Sequence, residues 1–215
     1  MKHITFYLDF ISPYAYLAFE QLPEALEGLS YSVSYKPILF AALLKHHGQL
    51  GPAEIAPKRD WTYRQVLWLA QSKGIAMQMP HSHPFNPLAL LRLALACSGS
   101  KTGACNRFVC ETIFRHVWQG GAEATDALRL EALTALLEPQ RRLDADGAKT
   151  QLKNNTDEAI ARDLFGVPAF EVDGKIFWGF DALPMLRDYL LNGGWFTGSD
   201  WESVSKLSVG VTRNI

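Results

Sequence analysis

Alternation of apolar and polar residues is clearest near the amino terminus of the chain. Residues 3–10 alternate, with β-branched and aromatic side chains, and the pattern stops at the Ile-Ser-Pro sequence of residues 11–13. Residues 13–27 are rich in Ala, Leu, Glu and Gln, and residues 31–37 alternate again until a proline. Period-two alternation predicts strands, whereas a longer run of good helix formers predicts a helix. The first 38 residues therefore predict a β-α-β unit.

The junction after the first predicted strand is the expected ligand-binding edge. A parallel β-α-β unit has a right-handed crossover, which packs the helix on one sheet face with its amino terminus at the carboxyl end of the strand. Ligands of α/β folds collect at that edge. Because Ser12 and Pro13 stand at this junction, we expect the functional site there.

The middle of the chain, from about residue 39 to 155, has the pattern of helices only. Asn86 is suited to cap a helix amino terminus, and Pro87 to occupy the first helical position. Further predicted helices cover residues 60–74, 105–118 and 126–138, and glycine or proline marks their ends. A long helical insertion is the simplest explanation of this section.

The carboxyl-terminal part returns to sheet. A helical stretch within residues 144–163 precedes two short strands, residues 169–172 and 175–178, which flank the strong hairpin signal Asp173-Gly174. A last helix over 181–191 ends at Asn192-Gly193-Gly194. We therefore expect an α/β protein in which residues 1–38 and 156–195 form one domain, 39–155 a helical insertion domain, and 196–215 a C-terminal tail.

The composition and net charge of the chain limit the classes of molecule that it is expected to bind. Of the 215 residues, 48% are hydrophobic and 20% are charged, and the formal net charge is −1. No uncharged apolar run has the length of a membrane span, and the balanced charge gives no general attraction to nucleic acid or to an anionic membrane. The first ten residues lack the pattern of a secretion signal. We expect a cytoplasmic protein that acts on a small molecule, with no nucleic acid and no membrane as partner.

The cysteines and paired histidines do not predict redox or metal chemistry. Cys97, Cys105 and Cys110 are odd in number and contain neither a Cys-x-x-Cys pair nor a zinc spacing. We expect buried free thiols, because unpaired cysteine commonly packs as a small apolar residue. His46-His47 and His81-Ser82-His83 lack cysteine or carboxylate partners at a known ligand spacing. The sequence therefore predicts no metal site.

Ser12 has two compatible interpretations at the start of the first helix. Its hydroxyl can cap the helix by accepting a backbone N–H, with Pro13 at the first helical position. A helix amino terminus also carries about half a positive charge and lowers the pKa of a neighbouring thiol. Ser12 could donate a hydrogen bond to such a thiolate, whereas no nearby histidine is present in sequence to make the serine itself a nucleophile.

Three segments carry a resemblance to a known family. Residues 9–18 (DFISPYAYLA), 166–170 (GVPAF) and 178–181 (WGFD) resemble the 2-hydroxychromene-2-carboxylate isomerases, which are related to kappa-class glutathione transferases and the DsbA-like thioredoxin superfamily. The resemblance extends over about residues 2–193. It implies a thioredoxin-like fold with a large all-helical insertion, of the DsbA/kappa-class type, with bound glutathione and usually a homodimer. Ser12 then stands where a redox relative carries Cys-x-x-Cys.

The resemblance also implies roles for individual residues. Ser12 would be the catalytic residue that holds the glutathione sulfur, and a cis-proline at Pro168 would leave the backbone of Val167 free to pair with the tripeptide. Asp181 would pair with the γ-glutamyl ammonium group, although it could equally cap the last helix. The complete expected set for glutathione is Ser12, Gln49, Val167, Pro168, Phe180 and Asp181, and for the substrate it is Tyr14, Lys58, Phe85 and Asn86.

Some of these positions have alternatives. Val167-Pro168 could merely begin an edge strand, and Lys58 with Arg59 could be either carboxylate anchors or solvated charges. Phe180 and Ala182 replace the polar residue and the arginine expected around Asp181, so contacts to the γ-glutamyl carboxylate would either be fewer or come from backbone N–H groups. Aromatic residues could line the pocket or fill the core, namely Tyr14, Trp61, Phe85 and Trp178.

The function implied by the resemblance is glutathione-dependent isomerisation. The substrate would be 2-hydroxychromene-2-carboxylate, an aromatic carboxylate, and the product trans-o-hydroxybenzylidenepyruvate. The thiolate would add to the conjugated carbon of the opened substrate, allow rotation and then leave. Alternatives are a kappa-like glutathione transferase or peroxidase that acts on other electrophiles and, more distantly, a non-catalytic thioredoxin-like binding protein.

Overall fold

A computed structural model describes residues 1–98, 102–191 and 193–211. One mixed sheet of four strands has the order β2-β1-β3-β4. Strand β1 (Lys2–Leu8) is parallel to β2 (Tyr31–Pro37) and antiparallel to β3 (Ala169–Val172), and β4 (Lys175–Trp178) is antiparallel to β3. The predicted β-α-β unit and the hairpin at Asp173-Gly174 are confirmed.

Nine α-helices lie in the described part of the chain. They are α1 (Pro13–Ala25), α2 (Phe40–His46), α3 (Ala56–Ser72), α4 (Leu88–Ala96), α5 (Arg107–Trp118), α6 (Ala127–Leu137), α7 (Ala145–Ala161), α8 (Leu183–Leu191) and α9 (Ser199–Ser203). Short 3-10 turns occupy Pro52–Glu54, Glu138–Gln140, Phe180–Ala182, Trp195–Thr197 and Val204–Lys206. Within the described residues, no helix is both long and apolar enough to cross a membrane.

Side-chain caps explain where four of the described helices begin, namely α1, α5, α6 and α7. Asn106 and Asp126 accept the backbone N–H three residues ahead, at 2.9 and 3.0 Å, and so begin α5 and α6 close to the predicted positions. Two predicted starts were wrong. Helix α3 begins four residues before Asp60, because a proline fits its first turn. Pro87 lies just before α4 rather than inside it, and the side chain of Asn86 accepts from Leu88 N–H.

Helices cover both faces of the sheet. Alternate residues of β1 point to opposite faces: Phe6 packs with the core of α1 and α8, and Tyr7 packs with α2 and α7. The larger core continues without a break from the sheet into α4 and α5. The boundary predicted between residues 155 and 156 falls inside α7, where Asn155 Nδ2 donates to Pro37 O at 2.9 Å.

The segment beyond α8 packs on the sheet in its first part. Phe196 is buried against Phe177 and Tyr189, and Trp201 lies edge-on to Phe196 with the ring centroids 5.3 Å apart. The tail predicted from residue 196 therefore begins within the core. Residues 212–215, and Asn192 in the predicted helix end, lie outside the described residues.

Candidate functional site

Ser12 occupies the junction between β1 and α1. Its Oγ accepts a hydrogen bond from Ala15 N–H at 3.2 Å, which confirms the predicted cap. Its own N–H donates to Asp9 O at 3.1 Å, and the residue is 7% exposed. The hydroxyl is therefore held at the amino terminus of a 13-residue helix, where the helix dipole favours negative charge.

The Val167-Pro168 peptide lies beside Ser12. This bond is cis, as predicted, and the segment leads into β3, the neighbour of β1. Ser12 Oγ is 3.4 Å from Val167 O, which is long for a hydrogen bond from a hydroxyl. Among the described residues, Val167 N–H donates to no acceptor. The backbone of Val167 thus has unused hydrogen-bonding capacity next to the Ser12 hydroxyl.

The turn before α8 lies at the same end of the sheet. Gly179 N–H donates to Pro168 O at 2.9 Å, which attaches this turn to the cis-proline segment. Asp181 is exposed in the 3-10 turn, and its carboxylate lies over Gly179, where an added Cβ would be 2.4 Å from Asp181 Oδ1. Gly179 also has a φ of +101°, so both its conformation and its lack of a side chain are needed here. Asp181 lies two residues before α8, which begins at Leu183.

The residues on either side of Asp181 have apolar side chains, so only their backbone groups can bind a polar ligand. Phe180 packs against the core and Ala182 is buried. The first residues of a helical turn have N–H groups with no partner inside the helix. The N–H groups of Phe180 and Asp181, which begin this turn, are therefore suited to an anion.

Tyr14 connects α1 to α3. Its hydroxyl donates to Gln65 Oε1 at 2.6 Å. Burial is the main cause that raises its pKa; a hydrogen bond with Thr62 lowers it and the negative charge of Asp181 raises it further. Tyr14 therefore lies between α3 and the Asp181 turn. Thr62 and Gln65 were missed in the sequence, where only their shared helix face could have suggested a common role.

Asp9, which directly follows β1, was not predicted as a site residue. The side chain is fully buried, and its oxygens accept from Ile11 N–H at 3.2 Å and from Phe40 N–H at 3.0 Å. Burial raises its pKa to about 7, and the hydrogen bonds from backbone N–H groups partly oppose this. Asp9 therefore connects the Ser12 turn, the segment of residues 9–12 between β1 and α1, to the start of α2. An acidic residue at the end of an apolar strand was the available signal.

Several predicted residues make no hydrogen bond to Ser12 among the described residues. Gln49 and Lys58 are exposed, and no hydrogen bond of the described residues connects either side chain to Ser12. Arg59 is 4.0 Å from Asp60, at the limit of an ion pair. The Asn86 side chain accepts a hydrogen bond from Leu88 N–H at 3.1 Å, just before α4. Phe85 is half-buried, with its ring 5.9 Å from the ring of His83.

An exposed aromatic pair flanks the cis-proline segment. The rings of Phe165 and Trp178 are 4.8 Å apart, and Trp178 is 52% exposed. The indole lies over Gly166, where an added Cβ would be 2.5 Å from Nε1. Trp178 is therefore available to a ligand, as is Trp61, which is 63% exposed.

No cysteine of this chain lies at the Ser12 junction. Cys97, Cys105 and Cys110 are buried in the helical section, as expected. Burial raises the pKa of Cys97 to about 11 and that of Cys105 well above its usual range. Within the described residues, no three His, Cys, Asp or Glu side chains are grouped to hold a metal ion.

Comparison with a family model identifies the domain. Residues 3–191 match the model of the DSBA-like thioredoxin domain. This range includes all of the sheet except Lys2, together with α1 to α8 and the whole of the candidate site.

Two curated relatives match most of the chain. It is 26% identical over 206 residues to a protein of Caenorhabditis elegans named glutathione S-transferase kappa 2, covering 88% of this chain and 92% of the relative. It is 27% identical over 195 residues to a 2-hydroxychromene-2-carboxylate isomerase of Pseudomonas putida, covering 86% and 92%.

Solved structures share the fold. A 2-hydroxychromene-2-carboxylate isomerase superposes with a TM-score of 0.70 at 24% identity, covering 96% of this chain and all of the other. The cytosolic disulfide reductase DsbM of Pseudomonas aeruginosa, solved with GSH, has a TM-score of 0.55 at 14% identity, covering 95% and 100%. The thioredoxin-like fold with its helical insertion is therefore shared.

Proposed function

The chain belongs to the DSBA-like thioredoxin family, and from this premise we propose that it binds glutathione and isomerises 2-hydroxychromene-2-carboxylate to trans-o-hydroxybenzylidenepyruvate. The observation that carries the proposal is the position of the Ser12 hydroxyl. It lies at the amino terminus of α1 and beside the backbone of Val167. All three cysteines are buried elsewhere. The site thus has the surroundings of a thiolate but no thiol of its own.

Glutathione fits the unused groups of the site. Its extended backbone would pair with Val167, as a peptide adds to an exposed strand edge. Its γ-glutamyl ammonium group would approach the exposed carboxylate of Asp181, and its α-carboxylate the N–H groups that begin this turn. Phe180 and Ala182 would then contribute through the backbone, and Gln49 and Lys58 would contact the glycyl end or the substrate.

The chemistry comes from the bound tripeptide. When bound, glutathione supplies a thiolate that adds reversibly to a conjugated double bond and so permits rotation about it. Ser12 would donate its hydroxyl proton to that sulfur as a hydrogen bond, and the dipole of α1 would lower the pKa of the thiol. Tyr14, Phe85 and Asn86 would hold the aromatic carboxylate, with Trp178 exposed nearby.

A glutathione transferase or peroxidase of the kappa type is the second candidate. The 26% identity to the kappa 2 protein of Caenorhabditis elegans supports it. Such an enzyme would use the same thiolate but release a conjugate or oxidised glutathione. Chromatographic analysis of the products separates the candidates, because only the isomerase returns glutathione unchanged and forms a product with the composition of its substrate.

Calorimetric titration tests the glutathione site without assuming a substrate. Reduced glutathione is titrated in two buffers of different ionisation enthalpy, so that the heat reports both binding and proton release. S-methylglutathione is the matched control, because it lacks an ionisable thiol. We expect both to bind and only reduced glutathione to release a proton near neutral pH. Absence of saturable binding by reduced glutathione would contradict the proposal.

The cellular setting is part of the same proposal. We expect a cytoplasmic enzyme of aromatic compound catabolism that forms a homodimer. Sedimentation equilibrium checks the dimer, and a mass equal to one chain at micromolar concentration would contradict it.

A further inference from the structure

Two consecutive carbonyl groups before Ser12 are held by side chains of the helical section. Trp118 Nε1 donates to Phe10 O at 3.0 Å. His83 Nε2 lies 2.8 Å from Ile11 O. A carbonyl oxygen only accepts hydrogen bonds, so His83 carries its proton on Nε2 and donates it to Ile11. The backbone that delivers Ser12 is thus anchored from outside its own strand and helix.

The other side of the His83 ring is held by Tyr63. Tyr63 Oη is 2.7 Å from His83 Nδ1 and 2.8 Å from His83 O. With the proton on Nε2, Nδ1 of the neutral ring is an acceptor, so the single proton of the Tyr63 hydroxyl is shared between Nδ1 and the His83 carbonyl oxygen in a bifurcated hydrogen bond. Burial lowers the pKa of His83, which favours this neutral form, although the hydrogen bond to Ile11 acts in the opposite direction. Both ring nitrogens therefore have a defined partner.

Aromatic rings fix the orientation of the imidazole. Its centroid is 5.4 Å from the ring of Tyr63, 5.5 Å from Trp118 and 5.9 Å from Phe85. Rotation of the ring would break the hydrogen bonds at both nitrogens and this packing together. His83 consequently acts as a rigid spacer between α3 and the Ser12 turn.

We propose that His83 is a positioning residue for Ser12. The Ile11 carbonyl belongs to the peptide unit that contains the nitrogen of Ser12, so anchoring this carbonyl fixes the plane of the unit. The Ser12 N–H of the same unit donates to Asp9 O at 3.1 Å. Because both the carbonyl and the N–H of this peptide unit are held, the orientation of the Ser12 side chain relative to the first turn of α1 is fixed. The inference deepens the proposed function and rests on it for its catalytic consequence.

The hydrogen bonds of His83 also connect the Ser12 turn to helix α3. Tyr63 reaches the turn through His83, and Gln65 of the same helix accepts from Tyr14. Helix α3 is therefore attached on both sides of Ser12. His83 therefore supports the site, although it lies outside the sheet.

An introduced thiol reports the positioning without glutathione. In a Ser12→Cys background, the new thiol stands at the amino terminus of α1, which lowers its pKa. The native cysteines are buried. The rate of alkylation by iodoacetamide, measured against pH and located by peptide mass mapping, therefore gives the pKa at position 12.

Two substitutions at His83 separate positioning from general structure. In His83→Gln the side-chain amide nitrogen takes the place of Nε2 and can still reach Ile11 O. In His83→Asn the amide nitrogen takes the place of Nδ1, and the side chain is too short to reach Ile11 O. His116→Asn is the control, because His116 is also half-buried and its Nε2 contacts a backbone carbonyl, that of Ala124, at 2.9 Å. Unfolding by urea is measured for each variant.

We expect H83N to slow alkylation of the S12C thiol at pH 6 by about tenfold, equivalent to one pH unit in its pKa. H83Q is expected to restore most of the rate, and H116N to leave it unchanged at a similar loss of stability. Equal alkylation rates in S12C and S12C/H83N, or equal effects of H83N and H116N, would overturn the inference.

A failure of the proposed function is recognised separately. If wild-type protein does not bind reduced glutathione but the alkylation results hold, the glutathione proposal fails and the positioning role of His83 stands. If glutathione binds with proton release and H83N leaves both proton release and turnover unchanged, the positioning role fails and the proposed function stands.

Discussion

The hydroxyl of Ser12 lies 3.4 Å from the carbonyl oxygen of Val167, although 155 positions separate the two residues in the chain. This distance is long for a hydroxyl donor, so the contact is weak. The proton of Ser12 is therefore available to a stronger acceptor that reaches the site. A thiolate next to the Val167 backbone would be such an acceptor.

Ser12→Ala is expected to abolish most turnover and to suppress proton release on binding of reduced glutathione, because the thiolate loses its hydrogen-bond donor. It also removes the cap of α1, at a cost of about 1 kcal/mol in unfolding free energy. Asn106→Ala is the matched control, since Asn106 caps α5 through a 2.9 Å bond to Val109 N–H. Unchanged proton release in S12A would remove Ser12 from the mechanism.

Gly179→Ala is expected to weaken glutathione binding at least tenfold. The new Cβ would lie 2.4 Å from Asp181 Oδ1, so the carboxylate must move, and the φ of +101° adds strain. Gly174→Ala is the control, because Gly174 has a φ of +77° but nothing within 4 Å of an added Cβ. Both variants should lose stability in urea. If G174A weakens binding as much as G179A, the displacement of Asp181 is not the cause.

Asp9 is expected to make stability depend on pH. Its pKa is raised by burial to about 7 in the folded protein, above the ordinary value near 4 in the unfolded chain. The protonated side chain therefore stabilises the fold at pH below about 4, and this contribution is lost as the pH rises through about 7. The unfolding free energy of wild type relative to Asp9→Asn should fall by about 1 kcal/mol per pH unit between these limits.

Urea unfolding of wild type and D9N at pH 5, 6, 7 and 8 measures this dependence. Asp188→Asn is the control for an aspartate-to-asparagine change at an exposed position, and the pH dependence is assigned to Asp9 if it disappears in D9N and persists in D188N. A constant difference for D9N across this range would show that Asp9 stays ionised in the folded protein.

Tyr14→Phe is expected to raise KM for the aromatic carboxylate several-fold and leave glutathione affinity within about twofold. The change removes the 2.6 Å hydrogen bond to Gln65 and so weakens the attachment of α3 to α1, at a cost of about 1 kcal/mol. Tyr7→Phe is the comparison, because Tyr7 donates to Glu171 at 2.8 Å and packs on the opposite face of the sheet. Steady-state kinetics and calorimetry check both variants, and a KM effect as large in Y7F would contradict the assignment.

Local signals predicted the strands and the turns of the site well. The Asp173-Gly174 hairpin, the Ser12 cap and the cis bond before Pro168 were all found as expected. The hairpin and the cap depend on the conformational preferences of a few adjacent residues, which the sequence displays directly. The cis bond was expected from the family resemblance, because a Val-Pro step could equally begin an edge strand. The starts of α3 and α4 were misplaced because a proline can lie just before or just inside the first turn of a helix.

The sequence by itself therefore determined the α/β class, the helical insertion and the position of Ser12 at a helix amino terminus, since these follow from periodicity and capping. Only the tertiary structure decided which distant side chains meet there. Gln65 contacts Tyr14 across 51 positions, His83 contacts Ile11 across 72, and Trp118 contacts Phe10 across 108. Such contacts depend on how the helices pack. Packing is decided by all side chains of the core together and therefore cannot be predicted from any short segment.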